Sequence, residues 1–348
     1  MVRRLATSRW VKLGFLVLAL GFCAYGLFAQ RTEVAAALRH FAWISVIGSF
    51  AAAIVGMACM MLAWRAVMRD LGSPLPLRSA ARIMFISQLG KYVPGAVWAV
   101  AAQVEFGRGH DIPRKRSASA AVISMLVTLA TGLLVTSVAL PLSSGTAARE
   151  YWWALVLAPL ALLALYPPLM GYLLDRLLRL ARRPPLERRI GAAGMTRAVA
   201  WSLLGWGFFS VHAWLLVVGM IGKGAGVLLI AAGAYALAWS VGFILIPFPG
   251  GVGPRELAFV AALAPIMPRG SAIVVVVVSR LVLTIGDLAL AAAGVALGRG
   301  MQRSRGDHDS GGGCPGDLAL SVPGAEQLDP PGREGTQQID ANEPIVSG

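Results

Sequence analysis

Six charged side chains inside apolar runs are the residues of this sequence equipped for chemistry. Arg255 and Glu256 stand in residues 245–268, LIPFPGGVGPRELAFVAALAPIMP. Lys91 and Glu105 stand in the stretch ARIMFISQLGKYVPGAVWAVAAQVEFGRGHD, and Arg280 and Asp287 in the last long apolar run, 271–298. A charge at the middle of a bilayer costs roughly 2.5–3.5 kcal/mol on insertion scales, so each needs a partner or a function. Arg280 and Asp287 are seven residues apart, on one helical face but about 10 Å apart along the axis, too far to pair with each other. Their partners must come from elsewhere, with Arg255, Glu256, Lys91 and Glu105 as candidates. Two readings are open: a structural network of buried ion pairs, and a substrate site.

The elements that position these charges are broken ones. Around Arg255 the helix signals are legible: Gly253 as N-cap, Pro254 at the first helical position, and Glu256 in the first turn, where negative charge is favoured. Pro265 stops a helix over 254–264 of about 16 Å, half of a ~30 Å hydrocarbon core. Lipid cannot satisfy freed backbone groups, so such a break must be buried in protein or line a wet cavity. The reading is a re-entrant half-helix, 247–268; the alternative is a surface loop followed by an amphipathic helix. Residues 83–107 repeat the pattern. Val93 precedes a proline, so one half-helix ends near Tyr92 and another begins after Gly95. Basic residues on both flanks fit a hairpin that returns to the side it came from. Pro94-Gly95-Ala96-Val97 echoes Pro249-Gly250-Gly251-Val252. Paired interrupted segments mark the binding site in transporters built from repeats, and chance similarity is the competing explanation.

The chain of 348 residues is 57% hydrophobic and 14% charged, with mean hydropathy +0.69. That composition is a polytopic membrane protein. Residues 1–300 hold 28 Lys or Arg against 9 acids, and residues 301–348 hold 3 against 8. The basic excess therefore belongs to loops between spans, where it sets topology and meets anionic headgroups; nucleic acid is not an expected partner. Cys23, Cys59 and Cys314 offer neither a disulfide framework nor metal-ligand spacing. Of the histidines only His212 lies within a span, where bonding to a neighbouring helix is the favoured role. No metal or cofactor is expected.

Taken in order, an all-α bundle of about 7–8 spans emerges. Arg3, Arg4, Arg9 and Lys12 precede a span at 13–29 and place the N-terminus in the cytoplasm of a plasma-membrane protein. Spans follow at 41–64, 118–140 and 152–172. A basic loop with Arg176, Arg179, Arg182, Arg183, Arg188, Arg189 and Arg197 comes next, then spans at 199–221, 227–246 and 271–298. The membrane domain is 1–300. Residues 301–348, rich in Gly, Pro and acids, form a disordered polar tail. The side of the C-terminus is open, since it depends on whether the second Pro-Gly segment crosses.

Two motifs in this order carry a resemblance. Gln88-Leu89-Gly90-Lys91-Tyr92-Val93-Pro94-Gly95 with Gly107-Arg108, and Pro247-Phe248-Pro249-Gly250-Gly251-Val252-Gly253 with Arg255-Glu256, resemble the flippase-like family of lysylphosphatidylglycerol synthase transmembrane regions over about residues 10–300. The resemblance implies a lipid-translocating module with re-entrant segments. Some members carry a separate soluble domain that transfers lysine to phosphatidylglycerol, and residues 301–348 do not supply one.

The expectation is a non-enzymatic transporter of an anionic lipid or polyprenyl-phosphate-linked lipid. Lys91, Arg255 and Arg280 would hold the headgroup phosphate, and Glu105, Glu256 and Asp287 would balance the empty site. Pro94, Gly95, Pro249, Gly250, Gly251 and Gly253 would break the helices and let backbone approach the phosphate. No catalytic residue is assigned. The alternatives are an accessory scaffold working with envelope-biosynthesis proteins, the membrane part of a lysylphosphatidylglycerol synthase-type system, and a lipid-modifying transferase. Against the last, the sequence shows no Asp-Asp metal motif, nucleophile-base pair or nucleotide-binding glycine loop.

Overall fold

The computed structural model describes residues 42–92, 98–110, 112–143, 152–180, 190–222, 224–245 and 253–310. Their regular structure is entirely helical, and we number the α-helices over this described part. Helix α1, Trp43–Asp70, comes from an apolar run that Arg65 and Arg69 close. Helix α7, Ala192–Ile221, ends where Gly222 takes the left-handed conformation, φ 65°, that terminates helices readily. With α4, Arg114–Ala139, and α10, Arg269–Ser310, these are the described helices long and apolar enough to cross a membrane. Length and composition make the chain a multi-pass membrane protein.

Small residues determine how α1 and α7 pack. They run antiparallel along their whole length: Ala42 donates its N–H to Gly219 O at one end, and at the other Asp70 accepts from the Gly191 N–H. Between them, a Cβ on Gly205 would lie 3.0 Å from Met60 and 3.3 Å from the Gly56 carbonyl, and one on Gly56 would lie 3.0 Å from the Phe209 ring. Helices in lipid gain no hydrophobic drive from each other, so close approach over such residues is what binds them.

The stretch 77–108 doubles back. Helix α2, Leu77–Gln88, passes into one 3₁₀ turn, Leu89–Tyr92, and α3, Trp98–Arg108, returns beside it. Gln103 donates to Met84 Sδ at 3.4 Å, and a Cβ on Gly90 would come within 2.7 Å of the Ala99 nitrogen. Only glycine permits that approach of two backbones. At ~18 Å and ~16 Å, neither helix spans a ~30 Å core by itself. The break itself, with Pro94 and Gly95, lies outside the described residues.

The apolar run expected as one span at 152–172 is instead divided. It forms a 3₁₀ turn, Trp152–Val156, then α5, Leu157–Ala164, then α6, Pro167–Leu180. Pro167 and Pro168 supply no N–H to close the preceding turn and disfavour helix in the residue before them. Arg176 and Arg179, expected in a loop, lie exposed on α6.

Helix α8, Leu228–Ile244, packs on α4 and on α9, Pro254–Leu263. α9 stops two residues before Pro265. α10 then carries Leu281, Ile285 and Leu288 outward, each more than half exposed. An outward apolar stripe on a helix holding buried polar groups is the arrangement lipid requires. The first compact unit runs to Ser304. The backbone stays helical to Ser310, into the segment expected as tail, while residues 311–348, the expected span at 13–29, Pro249, Gly250, Gly251 and Arg182, Arg183, Arg188 and Arg189 lie outside the described residues.

Candidate functional site

Helix α10 brings together residues that flank the two Pro-Gly breaks. Asp287, its side chain 6% exposed, accepts Lys91 Nζ at 2.5 Å and the Tyr92 hydroxyl at 2.6 Å. Both partners come from the 3₁₀ turn just before the first break. Two turns earlier on α10, Arg280 Nε reaches Glu256 Oε1 at 3.5 Å, and Glu256 follows the second break. Thus each carboxylate meets a cation from a different element, as the seven-residue spacing demands.

Glu256 has a second task. Its Oε2 accepts the Gly253 N–H at 2.6 Å, closing the N-terminus of α9. Gly253 has φ 97° and ψ −77°, a conformation that only glycine adopts without strain. The capping read from the sequence is therefore present, and it fixes the carboxylate that faces Arg280.

Arg255 is held differently. It donates to the Tyr235 hydroxyl at 3.1 Å and its guanidinium lies 5.4 Å from the centre of the Tyr235 ring, a cation–π arrangement. Its stem passes over Gly242, where a Cβ would lie 2.9 Å from Arg255 Cβ. Tyr235 in turn stands edge-on to His212, Phe259 and Trp206. Arg255 adjoins Glu256, the partner of Arg280, and Lys91 is tied two turns further along α10 at Asp287.

The six charges selected from the sequence do not all converge. Lys91, Arg255, Glu256, Arg280 and Asp287 form one centre. Glu105 is elsewhere, exposed at the end of α3, bound by Arg108 at 3.1 Å and facing Arg114 at 3.7 Å. Arg280 and Asp287 flank the midpoint of the apolar span Arg269–Ala296 by about 4 and 7 Å at 1.5 Å per residue. The centre therefore lies near mid-depth of that span. It is part-buried rather than sealed, with Lys91 39% exposed and Arg280 27%.

Two phenols that complete the centre were given no site role from sequence. Tyr92 was read only as a helix end within the motif, and Tyr235 is a lone phenol in the small-residue run Ala231–Ala236, AAGAYA. Beside them stands a polar staple. His212, fully buried, meets Ser49 Oγ through Nδ1 at 2.7 Å and Ser279 Oγ through Nε2 at 2.9 Å, tying α7 to α1 and α10. Histidine as a bond between helices was the expected role. Among the described residues no three His, Cys, Asp or Glu groups are placed to hold a metal ion.

The described residues form an all-α membrane bundle with paired charges at mid-depth of α10. The match to a family model is specific: residues 9–291 fit the lysylphosphatidylglycerol synthase TM region, and the chain belongs to that family. It is thereby a membrane protein of a lipid-related pathway. No curated protein matches the chain.

Proposed function

We propose that this protein is a flippase-like transporter that moves an anionic lipid, a phospholipid or a polyprenyl-phosphate-linked lipid, across the cell membrane without covalent chemistry. The observation that carries the reading is that Lys91 and Glu256, which flank the two breaks, meet Asp287 and Arg280 at mid-depth of α10, with Arg255 next to Glu256 in the chain. A headgroup phosphate entering there displaces Asp287 from Lys91 and Glu256 from Arg280, and the N-terminus of α9 adds a positive dipole end. The segments 83–107 and 247–268 act as re-entrant half-helices, with Gly253 and the glycines before it admitting the phosphate. The N-terminus is cytoplasmic, the membrane domain is 1–300, and residues 301–348 are a polar tail. Glu105 balances charge at the protein surface.

A second reading has its own support. Lys91 and Arg280 already have carboxylate partners, as a purely architectural network would, and the protein would then be a scaffold for envelope-biosynthesis enzymes. Headgroup-resolved lipid movement in proteoliposomes separates the two. Transport predicts that one anionic lipid class crosses faster than in empty vesicles and that Lys91→Gln removes the excess. A scaffold predicts no movement of any lipid and a stoichiometric protein partner on affinity purification, retained in Lys91→Gln.

A further inference from the structure

Asp287 uses one oxygen for two donors. Its Oδ2 accepts Lys91 Nζ at 2.5 Å and the Tyr92 hydroxyl at 2.6 Å. Lys91 and Tyr92 are consecutive in the 3₁₀ turn Leu89–Tyr92, yet they differ in freedom. Lysine ends in a compact ammonium on a flexible stem, whereas tyrosine carries its hydroxyl on a rigid ring with few torsions. The turn itself is pinned, because Gly90 lies so close to α3 that a Cβ there would come within 2.7 Å of the Ala99 nitrogen. Lys91 can therefore leave Asp287 by side-chain rotation alone while the Tyr92 hydroxyl stays in place. Resting on the transport reading above, in which a phosphate draws Lys91 from Asp287, we infer that Tyr92 is a positioning residue of the anion site: its hydroxyl holds the Asp287 carboxylate while Lys91 turns to the phosphate.

Affinity depends on the difference between two states. Before an anion binds, Asp287 has a cation and a phenol. Once Lys91 has turned to a phosphate, the carboxylate, its side chain 6% exposed, has lost its counter-ion at mid-depth, where an uncompensated buried charge is costly. The Tyr92 bond softens that loss, and a hydrogen bond to an ionised group is among the stronger ones. The phenol therefore counts for more with an anion bound than without, and it raises affinity without touching the anion. Its ring acts on Lys91 separately. The ring centre lies 5.4 Å from Nζ, a cation–π arrangement that does not need the hydroxyl. A phenylalanine at this position keeps the ring and removes the donor alone.

The test is binding of fluorescent phosphatidylglycerol to the full chain in nanodiscs, with the melting temperature of the same samples. Tyr92→Phe should weaken binding on the order of tenfold. In Asp287→Asn there is no carboxylate for Lys91 to leave, so adding Tyr92→Phe to that variant should change binding by less than about twofold. Should Asp287→Asn fail to fold, movement in proteoliposomes carries the test. There Tyr92→Phe should raise the mole fraction of phosphatidylglycerol that gives half-maximal movement without lowering the maximal rate, a split that loosened packing would not produce. An equal loss of binding in both backgrounds would mean that the phenol meets the anion itself, and a loss matched by a fall in melting temperature would assign it to architecture. Either result overturns the inference, as does unchanged binding in Tyr92→Phe or no binding of phosphatidylglycerol to the unaltered chain. Binding that depends on Tyr92 without movement in proteoliposomes would leave the inference standing and remove the transport reading; movement indifferent to Tyr92→Phe would do the reverse.

Discussion

Asp287 and Glu256 show how single side chains decide the local structure. Each accepts two donors, one of them a cation at mid-depth, and removing one partner of a buried pair leaves a charge uncompensated. For Glu256 the two tasks can be separated. Glu256→Ala loses both the cap and the partner of Arg280, while Glu256→Gln loses only the charge, so the alanine variant should melt at lower temperature, by about 1 kcal/mol of stability, in detergent scans. Gly253 offers a sharper case: an alanine there is strained at φ 97° whatever the surrounding space, and should cost about 1–3 kcal/mol. His212→Ala would strand the hydroxyls of Ser49 and Ser279 in a dry interior, at about 1–2 kcal/mol. At this scale the charged residues were legible because charge in an apolar run is conspicuous. Tyr92 and Tyr235 were not, because a phenol is apolar enough to belong in a span without any hydrogen bond.

Glycine carries the packing of elements. α1 and α7 approach over Gly48, Gly56, Gly205 and Gly219, and Gly132 of α4 accepts the Trp206 ring, where a Cβ would lie 2.6 Å away. Gly205→Leu should therefore separate α1 from α7 and destabilise the bundle by about 1–3 kcal/mol, read as a lower melting temperature and a broader elution profile. Gly90→Ala should act locally instead, opening the α2–α3 turn and withdrawing Lys91 from Asp287, with lipid movement falling further than stability. The ends of α9 and the reversal of 77–108 were readable from Pro and Gly positions. The division of 152–180 was not anticipated, since its apolar content alone continues through Pro167-Pro168 and hydropathy does not register missing N–H groups.

The whole molecule poses a question of topology. On the proposed re-entrant reading of this segment, both ends of 77–114 face the same compartment. Arg78→Cys and Arg114→Cys, both exposed, should therefore react with a membrane-impermeant maleimide from one side of sealed vesicles, and labelling from opposite sides would show that the segment crosses. The all-α membrane class was evident from composition, and the family from two motifs. What the sequence could not convey was convergence: nothing in the spacing of Lys91, Glu256, Arg280 and Asp287 states that α10 gathers the first two, because tertiary packing sets that meeting. The same is true of Glu105, whose apolar neighbours suggested the interior although the end of α3 places it at the surface.

The central claim is that the charged centre on α10 acts on lipid and does not merely hold the bundle together. Arg255→Gln tests it most directly, because Arg255 has a neutral partner and its removal strands no carboxylate. The measurement is anionic-lipid movement in proteoliposomes, paired with melting temperature and size-exclusion profile of the same preparation. The account predicts a monodisperse, normally stable protein with movement reduced to that of empty vesicles. Full lipid movement in a stable Arg255→Gln protein, or loss of stability in step with loss of movement, would contradict it and assign the centre to architecture.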